Sequence, residues 1–148
     1  MLNVLKTREK EGRPIHVGIV GLGATGSGIA YQIGKTPGMR VSFVADIQKS
    51  AAERGAELYG KPTHVTTDAL AALRDESIPC DVFVEATNSI IAAYDYCEAA
   101  IERKAHCVLM NAEVDLILGH LLQASAKKAG VIVTSDAGDQ HGVLSRMM

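Results

Sequence analysis

Three segments of this 148-residue chain carry residue types at spacings that suit ligand chemistry. The first is Gly21-Leu22-Gly23-Ala24-Thr25-Gly26, a GxGxxG pattern. Such a loop between a strand and a helix can cradle a dinucleotide pyrophosphate. Gly21 would permit the tight turn, and Gly23 would let phosphate approach the backbone where no Cβ stands. Gly26 would let the helix pack close to the strand, with Gly28 adding to that closeness. The unpaired N–H groups of the loop and the first helical turn, from Leu22 and Ala24 onward, would face the phosphates, and Thr25 would add a hydroxyl. A glycine turn that only packs strand on helix is the alternative.

The second is Asp46, at the end of the next strand-like run and about 20 residues beyond the loop. An acid there hydrogen-bonds the adenosine ribose hydroxyls and repels a 2′-phosphate, which favours NAD. Lys49 and Ser50 would instead line a 2′-phosphate site if Asp46 turned aside, and no arginine directly follows it. The third segment is a pair of strand ends, Glu85-Ala86-Thr87-Asn88 and Met110-Asn111-Ala112-Glu113-Val114-Asp115. Thr87 and Asn88 suit ligand contact and helix capping alike. Glu113 and Asp115 suit the start of a helix, where acids stabilise the macrodipole.

These residues need a frame that brings them to one edge. Short β-branched runs are expected as strands at Ile15–Val20, Val41–Asp46, Asp81–Ala86, His106–Met110 and Val131–Ser135, with a further short one around His64–Val65. Between them lie helical patterns. One runs from the glycine loop to Gly34, with Ile29, Ala30 and Ile33 on one face. Ser50–Tyr59 is expected to be capped by Ser50 and ended by Gly60. Thr66–Leu73 has Thr67 or Asp68 as its cap. Ile90–Lys104 places Ile90, Ile91, Tyr94, Cys97, Ala100 and Ile101 near one face, and Asp115–Ala129 ends at Gly130. Strands alternating with helices of this length mean βαβ units. The fold class is therefore α/β: a doubly wound, Rossmann-type, mostly parallel sheet with helices on both faces.

Composition sets bounds. Fifteen basic and seventeen acidic residues give a net charge of −2, no footprint for nucleic acid or an anionic membrane. No apolar run approaches the roughly 18 residues of a membrane span, and the mixed charges of the first residues do not read as a secretory signal. Three cysteines, Cys80, Cys97 and Cys107, form no CxxC pair. They suit buried packing in a reducing, cytoplasmic compartment better than a disulfide framework or a zinc site, and no metal is expected.

With its glycine loop, its Glu85–Asn88 segment and the Asn111 strand end, the chain resembles the cofactor domain of the homoserine dehydrogenase family. Within it, the chain is more similar to the branch like deoxyxylulose-phosphate reductoisomerase, an enzyme of isoprenoid biosynthesis. The resemblance covers roughly residues 14–148. It implies NAD(P) as cofactor, Ala86, Thr87 and Asn88 beside the nicotinamide half, and Asn111 near the nicotinamide ribose. It implies hydride transfer to or from a small carbonyl or hydroxy substrate, and a homodimer formed through a region beyond this chain. The family typically has a lysine directly after that asparagine. Here Ala112 follows, which disfavours homoserine and favours the divergent branch. A dinucleotide-sensing regulatory module that performs no chemistry is the alternative function.

The remaining candidates are weaker. Asp139 and His141, in the polar loop 136–142, could relay a proton, although a solvated loop or hinge suits them better. Residues Val143, Leu144, Met147 and Met148 look like the opening of another helix, so the chain reads as the N-terminal part of a longer enzyme. His16, His64 and His120 are read as structural. Residues 1–13 are expected as an extension, a short charged helix packing on the rest of that longer protein. No catalytic residue is assigned.

Overall fold

The computed structural model describes residues 2–135; the 136–142 loop, with Asp139 and His141, and the apolar residues after it lie outside the described residues. The elements follow in the order α1 (Leu2–Lys10), β1 (Ile15–Val20), α2 (Ala24–Lys35), β2 (Met39–Ala45), α3 (Lys49–Tyr59) and β3 (His64–Thr66). They continue with α4 (Ala69–Arg74), β4 (Val82–Glu85), α5 (Ile90–Glu102), β5 (His106–Leu109), α6 (Ala112–Ala129) and β6 (Val133–Ser135). The strands form one parallel sheet in the order β3-β2-β1-β4-β5-β6. The doubly wound fold is the one expected. Its order reverses between β1 and β4, the place where such sheets open a crevice at their carboxyl ends.

The sheet is buried on both faces because both sets of alternating side chains are apolar. One core joins Phe43, Phe83, Cys107, Leu109 and Val133 to α4, α5 and α6 through Ala69, Leu73, Ala93, Cys97, Ala100, Val114 and Leu122. The other joins Val17, Ile19, Val41, Val44 and Val84 to α2 and α3 through Ala30, Ile33, Ala51 and Tyr59. A shift of register between Val17 and Gly18 passes over Ser42. On that stretch the buried Val41 N–H donates to the buried Tyr59 hydroxyl (3.1 Å).

Several boundaries differ from expectation because side chains redirect the backbone. Asp46 Oδ1 accepts the Gln48 N–H (2.8 Å), an Asx-type turn that starts α3 at Lys49. Gln48 is the N-cap, and Ser50 lies inside the helix rather than capping it. Helix α6 begins at Ala112, not Asp115, because Asn111 Oδ1 accepts from Glu113 N (3.1 Å) and Val114 N (3.4 Å). Strand β6 starts late: Val131 N closes the end of α6 on Ala126 O, and Ile132 N donates to His106 Nδ1 (3.0 Å). Asp68 caps α4 as one of the two expected candidates, by accepting from Ala71 N (2.9 Å). On α5, Ile91 does not join the core; it is 77% exposed, while Ala93, Cys97, Ala99, Ala100 and Ile101 are buried.

The extension forms α1, and Glu9 ties it to this domain, accepting from Gly38 N (2.6 Å) and from Arg40 Nη2 (2.6 Å) at the start of β2. That attachment lies at the opposite edge of the sheet from the glycine loop. No helix among the described residues is long and apolar enough to cross a membrane.

Candidate functional site

The carboxyl ends of β1, β2 and β4 lie on one edge, and a cleft of about 420 Å³ opens there, within the range of small-molecule sites. Its walls are Val20, Gly21, Gly23, Asp46, Ile47, Gln48, Thr67, Ala69, Ala86, Thr87, Asn88, Ser89, Ala92 and Tyr96. Six of the expected contact residues meet in it: Gly21, Gly23, Asp46, Ala86, Thr87 and Asn88.

The three motif glycines do different things. Gly21 has φ +90°, and a Cβ on it would stand 2.4 Å from the Ala86 carbonyl oxygen. The turn therefore needs glycine for both backbone conformation and close approach to the end of β4. A Cβ on Gly26 would stand 1.9 Å from the Gly21 carbonyl oxygen, so this glycine lets α2 close on the turn. Gly23 has no such neighbour: a Cβ there would meet nothing within 4 Å. It is exposed and lines the cleft. As the N-cap of α2 it supplies no side chain to the first turn, where helical N–H groups lack intrahelical partners. Gly28 is also open, with nothing within 4 Å, and does not contribute to the close packing expected of it.

Asp46 joins the loop to the next strand. Its Oδ2 accepts from Leu22 N (2.7 Å), and its Oδ1 holds Gln48 N. The Leu22 amide is thus engaged by Asp46, while the Leu22 side chain is buried in the α2–α3 core. Ala24 and Thr25 are exposed in the first turn of α2 and are not among the walls of the cleft. Lys49 pairs with Glu53 one helical turn on (3.7 Å), and neither it nor Ser50 lines the cleft.

At the far wall, Ser89, rather than Thr87 or Asn88, caps α5 by accepting from Ala92 N (3.4 Å). Thr87 turns inward: its N–H (2.8 Å) and its hydroxyl (2.5 Å) both donate to Glu85 Oε1. Glu85 is fully buried at the end of β4, and its Oε2 has no partner among the described residues. Burial pushes its carboxyl above the usual carboxylate range, and the two bonds from Thr87 pull it part of the way back. Asn111 is buried and does not line the cleft. Its oxygen caps α6, and its Nδ2 has no partner among the described residues.

Sequence reasoning passed over Glu85, Ile47, Gln48, Thr67, Ser89 and Tyr96. Ile47, Gln48, Thr67 and Ser89 sit on connections between elements, where no periodicity marks a residue. Glu85 did carry a signal, as an acid within an otherwise apolar strand.

A family model described as the NAD-binding domain of homoserine dehydrogenase matches residues 21–135. The chain belongs to this family. The cofactor class of the family domain is NAD(P). The homoserine dehydrogenase of Bacillus subtilis (strain 168) is 27% identical over 143 residues, covering 88% of this chain and 31% of that protein. A homoserine dehydrogenase structure from Thiobacillus denitrificans superposes with a TM-score of 0.67 at 28% identity, covering 84% of this chain and 30% of that one. The structure of GenD2 from gentamicin A biosynthesis, in complex with NAD, gives a TM-score of 0.70 at 23% identity, covering 82% and 34%, and shares the fold. The chain thus spans about a third of the length of these relatives.

Proposed function

We propose that this domain holds the dinucleotide of an NAD(P)-dependent oxidoreductase, with NAD preferred over NADP. The observation that carries the reading is Gly23: an open glycine between the α2 N-terminus and a fixed aspartate, where a Cβ would meet none of the described residues within 4 Å and would stand in a ligand's way. The pyrophosphate would lie over Gly23 and the amides of Ala24, Thr25 and Gly26, favoured by the α2 dipole. Asp46 would take the adenosine ribose hydroxyls, each oxygen keeping a lone pair beyond the amide it already accepts. Those two amides hold the carboxylate in place, so a 2′-phosphate would meet a fixed negative charge. Ile47, exposed at the cleft, would pack on the adenine.

At the other wall, Ala86, Thr87 and Asn88 would flank the nicotinamide half. Asn111 would act there only through the start of α6, which it caps. When bound, the nicotinamide gives or takes a hydride. The chain's own part is to anchor the two ends of the cofactor and to shield one side with Ala92 and Tyr96. A sensing module is the weaker alternative, because the Glu85–Asn88 wall belongs to a family of dehydrogenases.

The whole protein would be a divergent member of the homoserine-dehydrogenase-like enzymes acting on a small carbonyl or hydroxy compound, with residues 14–148 as its cofactor domain and the acid–base group outside the described residues. Ala112, where the family typically has lysine, supports a substrate other than homoserine and the reductoisomerase-like branch, with its isoprenoid precursors. Exposed Leu116, Ile117 and Leu121 on α6 support coverage of that face by a partner subunit or a further domain. Three free cysteines, two of them buried, suit the cytoplasm.

Calorimetric titration with NADH and NADPH, on wild type and Asp46→Ala, tests the cofactor reading. We expect wild type to prefer NADH by at least about tenfold, and Asp46→Ala to lose that preference through weaker NADH binding. A preference for NADPH would overturn the role given to Asp46. Binding of neither by the folded chain would overturn the cofactor reading.

A further inference from the structure

We infer that Glu85 is a positioning residue for the nicotinamide half of the cofactor, acting through Thr87; this rests on the cofactor reading above. The carboxyl is fully buried, yet one of its oxygens has no partner among the described residues. A buried unsatisfied oxygen costs stability, and an apolar residue at the end of β4 would avoid that cost. What the carboxyl does supply is Oε1, which takes both protons of Thr87, from the backbone N–H (2.8 Å) and from the hydroxyl (2.5 Å).

The effect runs along the cleft wall. With its proton turned inward, the Thr87 hydroxyl accepts from Ser89 N (3.3 Å), and Ser89 in turn caps α5 through Ala92 N. Glu85 therefore fixes the connection from β4 to α5 from beneath, and Thr87 and Ser89 of that connection line the cleft together with Ala92 in the first turn of α5. The same segment faces the glycine turn, because a Cβ on Gly21 would lie 2.8 Å from Thr87 N.

The geometry also sets the chemistry Thr87 can offer. Its hydroxyl has two lone pairs and one proton. The proton goes to Glu85 and one lone pair to Ser89. One lone pair remains, so Thr87 meets the ligand as an acceptor only. The group it would receive is a donor on the nicotinamide side, a carboxamide N–H or a ribose hydroxyl. A carbonyl or phosphate oxygen would be refused.

The test compares NADH with ADP-ribose, which keeps the half of the ligand assigned to Gly23 and Asp46 but lacks nicotinamide. Wild type, Glu85→Gln, Glu85→Leu and Thr87→Val are titrated with each, and folding is checked by thermal denaturation. We expect wild type to bind NADH more tightly than ADP-ribose. Glu85→Leu should lose about tenfold in NADH affinity while ADP-ribose stays within about twofold. Glu85→Gln, whose amide oxygen can still accept from Thr87, should keep the NADH advantage. If Glu85→Leu does not fold, Thr87→Val carries the test and should lose the same advantage. Equal loss for both ligands, or an undiminished NADH advantage in Glu85→Leu and Thr87→Val, would overturn the inference. So would wild-type affinities that do not differ between the two ligands. A folded wild type that binds neither would overturn the cofactor reading and, with it, this inference.

Discussion

Substituting alanine for each motif glycine in turn separates the glycine that serves a ligand from those that serve the fold. At Gly23 the backbone has φ −67° and ψ −162°, open to any L-residue, and the new Cβ meets no atom of the described residues within 4 Å. Alanine lowers the entropy of the unfolded chain, a gain of about 0.4–1 kcal/mol. It is a poorer N-cap than glycine by an amount of similar size. The two nearly cancel, so Gly23→Ala should lie within about 0.5 kcal/mol of wild type. For a domain of this size that is a shift in Tm of no more than about 2 °C. At Gly26 the Cβ would stand 1.9 Å from the Gly21 carbonyl oxygen, which cannot move without reshaping the turn. Overpacking of that kind costs about 1–3 kcal/mol or more, several degrees in Tm. At Gly21 the left-handed backbone adds about 1–2 kcal/mol to a 2.4 Å approach to Ala86 O.

Binding should invert this ranking. The Gly23 methyl would stand between the pyrophosphate and the first-turn amides of α2. A hydrogen bond to a charged group contributes about 1.5–3 kcal/mol, so losing even one raises Kd about tenfold or more. Thermal denaturation and NADH titration of Gly21→Ala, Gly23→Ala and Gly26→Ala supply both axes. We expect Gly23→Ala to keep wild-type stability and lose affinity, while the other two lose stability first. If Gly23→Ala binds NADH within about threefold of wild type, the pyrophosphate does not pass over Gly23 and the cofactor placement fails. If it melts as early as Gly26→Ala, Gly23 is a packing glycine after all.

Two other perturbations follow from the packing. Tyr59→Phe strands the buried Val41 N–H and should cost about 1–3 kcal/mol in urea denaturation, with NADH affinity unchanged; a variant as stable as wild type would show that the bond contributes nothing net. Glu85 has its folded pKa raised, so the native state binds its proton more tightly than the unfolded chain. Its contribution to stability is complete below the ordinary value near 4.5 and is lost as pH rises through the folded value. Relative to wild type, Glu85→Gln should therefore gain stability between pH 4 and pH 8, and a constant difference across that range would refute the shift.

Much of the fold was legible because it rests on short-range chemistry. Runs such as Ile15–Val20 and Asp81–Ala86 are β-branched, apolar and too short for helices, and the intervening segments carry helical periodicity. The errors fall where a side chain overrules local propensity. Ser50 is a favourable cap by type, but Asp46, just beyond the end of β2, turns the chain two residues earlier through Gln48 N. Ile91 fits the apolar face of α5 on a count of spacing. Yet Ala93 and Cys97 occupy the surface that the sheet leaves free, and Ile91 faces outward. Residue type states what a side chain favours, while the neighbour that takes the position is set by tertiary contacts.

The site divides along the same line. Gly21, Gly23 and Asp46 were legible as neighbours at one cleft because a turn, an open backbone and an acid at a strand end each leave a mark in residue type. At Asn111 residue type alone does not choose, because asparagine suits a ligand and a helix cap equally, and α6 takes its oxygen. Glu85 went unassigned for the opposite reason. Counted as part of a buried strand, it looked like a member of the core. The physical cue was that a carboxyl in such a position must find donors within reach, since an unpaired buried charge is far more costly than an apolar side chain. The Ala86 N–H is taken by Val20 O, so the next donors in sequence are those of Thr87, two residues on and already suspected of meeting the ligand. An acid that interrupts a buried strand just before its carboxyl end is therefore better read as support for the residues that follow it than as an exception within the core. In this chain the residues so supported are the ones that form the far wall of the cleft.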